Sequence, residues 1–338
     1  MLEVAYVGNK GTRLWGQYAF SELDSLPSKM LSMGDILKDP VSLHPQYTPY
    51  AGFDESLPVA QALRPYPQFF GVQEAFPYNT NSNYNSLQVT VTRRLTTGLG
   101  FLAAYTFSKA IGSVDSNGFP AYYTATSQDY FNRGLERSVT TFNYPQDFKL
   151  TWVYDTPVGK GRAFNLGWAN YVVGGWQLAA IHNYRSGDPI SLFQAGLNIP
   201  AGFAYGIRPD LLTGVPETLG GAPSRVDVVN GTPYLNPAAF APTPVTPNGV
   251  PLRVGTAPRV LPNIRGPHHM DEIFRMSKKF PLYKQKENTF FHLGMTMTNP
   301  FNRTGRFIRD TAVGDADFGK VFATGGGRTI QLEARAEF

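Results

Sequence analysis

Residues 328–338 read Arg-Thr-Ile-Gln-Leu-Glu-Ala-Arg-Ala-Glu-Phe. On an extended chain Ile330, Leu332, Ala334, Ala336 and Phe338 point one way, and Thr329, Gln331, Glu333, Arg335 and Glu337 the other. One apolar face against one charged face, with period two, marks a half-buried β-strand. The pattern recurs upstream. In 289–299, Phe291, Leu293, Met295 and Met297 alternate with His292, Gly294, Thr296 and Thr298. In 143–156, Tyr144, Phe148, Leu150, Trp152 and Tyr154 alternate with Asp147, Lys149, Thr151 and Asp155. Two further runs, 83–95 and 99–111, flank Thr96-Thr97-Gly98, whose terminal glycine predicts a hairpin with a three-residue loop. With 2–8, 170–193 and 269–280 there are eight predicted strands and an all-β, antiparallel fold.

Alternation alone fits either a soluble β-sandwich or a membrane barrel with apolar residues toward lipid and polar residues toward the lumen. Aromatic residues make up 14% of the 338 positions and charged residues only 16%, well short of the usual quarter in soluble domains. No apolar run is long enough for a transmembrane helix. The absence of cysteine excludes a disulfide scaffold or a thiolate zinc site. The formal charge of +5 is spread along the chain, which gives no nucleic-acid footprint.

Loop lengths favour the barrel. Short connections, 96–98, about 157–169 and about 281–288, alternate with long ones, about 9–82, 112–142, 194–268 and 300–327. Outer-membrane barrels have short periplasmic turns and long extracellular loops. Prolines punctuate the first and third long segments, which predicts loops, with one short helix near 28–37. Residues 2–8 carry no basic or long apolar leader and alternate like a strand. The expectation is therefore that 1–338 is the carboxy-terminal barrel segment of a longer protein, the alternative being a complete soluble protein that starts with a strand.

Several stretches together resemble the barrel of TonB-dependent outer-membrane receptors, and most closely the Oar-like group, which carries a carboxypeptidase-regulatory-like domain near its N-terminus. They are Leu2-Glu-Val-Ala-Tyr-Val-Gly-Asn-Lys-Gly-Thr12, Ala62-Leu-Arg-Pro-Tyr-Pro-Gln68, Tyr84-Asn-Ser-Leu-Gln88, Tyr105-Thr-Phe-Ser-Lys109, Pro157-Val-Gly-Lys-Gly-Arg162, Gly175-Trp-Gln177, Ser186-Gly-Asp-Pro189, Asn236-Pro-Ala-Ala-Phe240, Asn263-Ile-Arg-Gly-Pro267, Asn299-Pro-Phe-Asn302 and the terminal strand. None is specific alone; their order and span carry the likeness. The resemblance implies the last part of a barrel of about 22 strands. It places the signal peptide, TonB box and plug upstream of Met1. It also implies that the final strand, Ile330 to Phe338, is read by the barrel-assembly machinery. The implied function is energised uptake of an extracellular ligand, with outer-membrane lipid and the TonB system as partners and the bacterial outer membrane as location.

No residue set points to catalysis. Gly159-Lys160 lacks the spacing of a phosphate loop. His268-His269 reads as a polar loop edge, and Asp310, Asp315 and Asp317 lack the ligand alternation of a calcium loop. Inward Asp147, Asp155, Glu333 and Glu337 read as lumen carboxylates. Leu150, Trp152, Phe291 and Leu293 are expected to face lipid. Trp152, Tyr154, Tyr171, Phe280, Tyr283 and Phe338 are expected in an aromatic girdle. The loop tyrosines Tyr47, Tyr50, Tyr66, Tyr78, Tyr122 and Tyr123 are the candidates for ligand contact. The expectation is a receptor barrel that is not an enzyme, with no cofactor or metal and an unidentified ligand. A structural or adhesive barrel without transport and a secreted carbohydrate-binding sandwich are the alternatives.

Overall fold

Period-two segments whose apolar faces match can pair edge to edge, and here they do so in sequence order. The computed structural model describes residues 1–15, 23–113, 127–204, 206–281 and 289–337. Its main sheet is an antiparallel meander of β1 (Leu2–Trp15), β2 (Tyr78–Thr96), β3 (Leu99–Gly112), β4 (Gln146–Asp155), β5 (Trp176–Arg185), β6 (His269–Pro281), β7 (Phe290–Thr298) and β8 (Thr329–Glu337). A two-residue piece, Ser138–Val139, adds to the C-terminal end of β3. Among the described residues the sheet is open, with β1 and β8 each paired along one edge.

The register keeps one face continuous. Val4 lies opposite Val89, Val89 opposite Tyr105, and Tyr105 opposite Phe148. Further along, Ala180 lies opposite Phe274, Phe274 opposite Met297, and Met297 opposite Ile330. The other face carries Gln88, Thr106, Asp147 and Arg185 in one row and Arg275, Thr296 and Gln331 in another. A one-residue slip of any strand would exchange the two faces, so the apolar face fixes the register.

Several sequence expectations are corrected. Residues 9–15 are strand, because β1 continues beyond the apolar stretch and pairs with the polar start of β2, Lys10 opposite Asn83 and Trp15 opposite Tyr78. The predicted strand 170–193 splits: Asn170–Val173 is helical and the strand is Trp176–Arg185. The hairpin after β2 turns on two residues, since Thr96 pairs with Leu99. Thr97 and Gly98 both have positive φ, 51° and 84°, the conformation that matches strand twist. The predicted helix near 28–37 is a 3-10 helix, Ser28–Lys38, kinked at Gly34. The connection at 300–327 holds a hairpin of Gly305–Ile308 and Lys320–Thr324, extended by Thr232–Pro233. Phe338, Tyr122, Tyr123, Tyr283 and all but the first residue of the connection predicted at about 281–288 lie outside the described residues.

The buried hydrophobic core lies almost wholly in the long connections, which pack together as a cap at one end of the sheet. Its largest cluster joins Ile190, Leu192, Leu235, Phe240 and Leu261 from the β5–β6 connection to Val313, Phe318 and Val321 from the β7–β8 connection. A second joins Leu26, Leu31, Leu37 and Ala60 from the β1–β2 connection to Phe203 and Ile207. A third, Val41, Phe53, Val59 and Ala62, lies within the first connection. Full burial of one such side chain contributes about 1.5–3 kcal/mol, so each cluster ties together segments that have few ladder bonds of their own.

Candidate functional site

The cap is seamed by buried charge. Arg208 donates from Nη1 to Glu136 Oε2 at 2.8 Å and from Nε to the Ala257 carbonyl at 3.0 Å. The Gln128 backbone N–H reaches Glu136 Oε1 at 2.9 Å, and Arg259 donates to the Glu136 and Gly112 carbonyls at 3.1 and 3.0 Å. Burial pulls the Arg208 guanidinium below its ordinary pKa, and Glu136 opposes that shift. Arg253 grips Asp210 at 2.7 and 2.5 Å. That hydrogen bond holds the Asp210 carboxyl below its ordinary range, with burial opposing it and the Thr256 N–H adding to it. Ser28 bonds Asp129 at 2.5 Å and Thr246 bonds Asp35 at 2.6 Å. The connections β1–β2, β3–β4 and β5–β6 are thus bolted to one another.

A cavity of about 1040 Å³ opens at the cap end of the sheet, near β6, β7 and β8. The upper part of β6, from His269 to Ile273, forms one wall. Residues 224–228, 299–306 and 323–327 form the others. Its charged lining is Arg225, Arg303, Arg306, Asp271 and Glu272. Arg303 Nε lies 3.0 Å from the buried Glu272 carboxylate, and Arg306 donates to the Pro223 carbonyl at 2.5 Å. It is a broad cleft open to the surface, with polar and apolar groups mixed in its lining. Beside it, Asp188 accepts from Tyr144 at 3.0 Å and lies 3.0 Å from His269 Nε2, while the Arg185 guanidinium stacks 4.1 Å from the Tyr144 ring centre.

The polar face of the sheet carries charge in compensated sets. Arg275 and His292 flank Glu333 at 3.0 and 3.8 Å. Lys149 meets Asp147 at 3.4 Å, and Arg335 meets Glu337 at 3.2 Å. Lys149–Asp147 and Arg335–Glu337 are each within one strand, His292 and Glu333 are on the neighbouring strands β7 and β8, and Arg275 on β6 reaches across β7 to Glu333. No group of three or more His, Asp or Glu able to hold a metal occurs among the described residues.

Leu150, Trp152, Phe291 and Leu293 share the apolar face with Ile330, Leu332, Ala334 and Ala336. Trp152 also donates to His182 Nε2 at 3.1 Å, and His182 Nδ1 lies 3.1 Å from the Tyr184 hydroxyl. His182, Tyr184 and Glu272 lie on this same face toward the cap, a polar cluster that the alternation of the sequence does not single out. The signal there is two polar residues in apolar phase: His182 is in phase with Leu178, and Glu272 with Phe274. Of the loop tyrosines, Tyr47 packs against the third core cluster and Tyr50 makes an edge contact with Phe53. Tyr66 anchors its own loop through its N–H to Asp24, and Tyr78 opens β2. None of these four lines the rim cavity.

A family model described as "Outer membrane beta barrel domain" matches residues 1–331. No curated protein and no solved structure matches the chain.

Proposed function

We propose that this chain, which belongs to the outer membrane beta barrel family of the bacterial outer membrane, supplies wall and outer cap to a TonB-dependent receptor of the Oar-like kind. In this reading the apolar face meets lipid, the polar face lines the lumen, and the cap is extracellular. The observation that carries it is the sorting of connections. The four long ones emerge at one end of the meander, and three of them are joined to one another by the buried Glu136–Arg208 ion pair and by the Ser28–Asp129 and Thr246–Asp35 hydrogen bonds, while Thr97-Gly98 turns at the other end. A sheet of eight strands, open at β1 and β8, suits part of a wall completed by further strands, as in plugged transporters of about 22 strands. The ligand enters at the rim cavity, passes along the polar wall and moves when an energised inner-membrane partner displaces the plug. The insertion strand, Ile330 to Ala336 and on to Phe338, is what the assembly machinery reads.

An adhesive barrel that moves no cargo is the second reading. It draws on Phe70 and Val229, which are 79% and 82% exposed at the cap surface. One experiment separates the two. The protein is deleted in its host, and growth is followed on media limiting in iron chelate, vitamin, oligosaccharide or peptide. Transport predicts a growth defect on one medium that a protonophore reproduces in the parent strain. Loss of surface attachment with no nutrient defect would support the adhesive reading. A tag at Gly221 labelled on intact cells, with one at Thr97 silent, checks the orientation.

A further inference from the structure

The connection between β4 and β5 does not hang below the sheet. Gly167–Ala169 forms a 3-10 turn and Asn170–Val173 an α-helical turn. Asn165 and Asn170 fasten their start, with Asn165 Oδ1 accepting from the Gly167 N–H at 3.1 Å and Asn170 Oδ1 from the Leu166 N–H at 3.1 Å. Gly175, at φ 70°, lets the chain reverse into β5. Two side chains of the apolar face then hold the turn. Trp176 Nε1 donates to the Val172 carbonyl at 2.8 Å. Lys278 Nζ donates to the carbonyls of Asn170, Tyr171 and Val172 at 3.2, 2.6 and 3.4 Å.

Lys278 lies between Met276 and Phe280 on the apolar face, so its ammonium sits at the level of the apolar band. A bare ammonium there would be costly; the carbonyls at the end of a helical turn satisfy it, and the turn covers the side chain. The turn is therefore drawn onto the outside of the sheet. Its own outward side chains are aromatic and aliphatic: Trp168 is 82% exposed, Tyr171 77% and Val172 64%, with Phe164 and Leu166 also exposed.

We propose that residues 164–173 form an interfacial anchor that embeds Trp168 and Tyr171 among the headgroups of the inner, phospholipid leaflet and fixes the depth of the barrel. The occupant of this surface is phospholipid. Three observations argue for it: continuity with the apolar face, the fastening by Lys278, and aromatic rings with a polar tip, which favour a membrane–water boundary. The inference rests on the reading that the apolar face meets lipid.

The chain has no cysteine, so single Trp168→Cys, Leu150→Cys and Thr97→Cys variants can each carry one environment-sensitive fluorophore. The protein is placed in phosphatidylethanolamine/phosphatidylglycerol vesicles containing nitroxide lipids labelled near the headgroup or deep in the acyl chain. Position 168 is expected to be quenched about twofold more by the shallow label, as suits a segment about 5–10 Å into the interface. Position 150 should favour the deep label, and position 97 should respond only to aqueous iodide. Adding Lys278→Gln should move position 168 toward the behaviour of position 97 while position 150 stays unchanged. If position 168 behaves like position 97 while 150 reports lipid, the anchor is overturned and the barrel reading stands. If 150 also reports water, the barrel reading fails first.

Discussion

The sheet and the cap use hydrophobic residues in opposite ways. In the cap, Val250, Val260, Leu261 and Val321 are fully buried. In the sheet, Leu2, Val4, Ile330 and Leu332 are each more than half exposed on one continuous apolar face. Charge is inverted too: the cap buries Glu136 and Arg208 as a pair, whereas Arg275–Glu333 and Arg335–Glu337 stay open on the polar face. The cap buries its apolar residues as a water-soluble domain does, whereas the sheet displays one apolar and one polar face, the division that the proposed wall between lipid and water needs.

Breaking the cap from within should have the largest effect. Glu136→Ala strands the buried Arg208 guanidinium, and removal of one partner of a buried pair costs about 3–5 kcal/mol. Protease cleavage of the cap on intact cells should rise while the sheet remains inserted; an equal loss of sheet would show that cap and wall are not separable. Leu261→Ala should cost the cap about 2–5 kcal/mol, whereas Leu332→Ala on the apolar face should leave denaturant midpoints nearly unchanged in detergent. In lipid the asymmetry reverses. Leu150→Arg should destabilise the inserted protein by about 2–4 kcal/mol, and Thr151→Arg by much less; urea titration in vesicles measures both, and equal costs would contradict the two-faced wall.

The smallest effect is with pH. The Asp210 pKa is held below its ordinary value by Arg253. Its contribution to the cap is therefore present above the unfolded pKa and is lost as pH falls through the lower folded value. Cap protease resistance should weaken on acidification below the usual carboxylate range, and Asp210→Asn should flatten that profile. An unchanged profile would remove Asp210 from the account.

The wall was largely legible in the sequence. Runs such as 289–299 and 328–338 alternate cleanly because the two strands pair in register and share one apolar face along their length. Legibility stopped where that condition stopped. Residues 9–15 pair with 78–84 beyond the apolar band, where neither face need be apolar, and so read as loop. Tyr171, Val172 and Val173 have strand propensity, yet Asn165, Asn170 and Lys278 hold that stretch helical. The cap core was illegible because Leu31, Phe203 and Ile207 come from distant Pro-rich segments without period. The Glu136–Arg208 seam joins residues 72 apart, a pairing that no local pattern announces. In the candidate site, the shared face of Leu150, Trp152, Phe291 and Leu293 was readable, whereas the rim cavity arises from four segments meeting in space.

Cysteine scanning along β4, one position at a time from 147 to 154, in the vesicle-inserted protein tests the central claim most directly. Accessibility to a water-soluble thiol reagent and quenching by acyl-chain nitroxide should alternate in opposite phase, with 148, 150, 152 and 154 reporting lipid and 147, 149, 151 and 153 reporting water. Uniform accessibility at all eight positions, or alternation in the reverse phase, would contradict an outer-membrane wall with this face toward lipid.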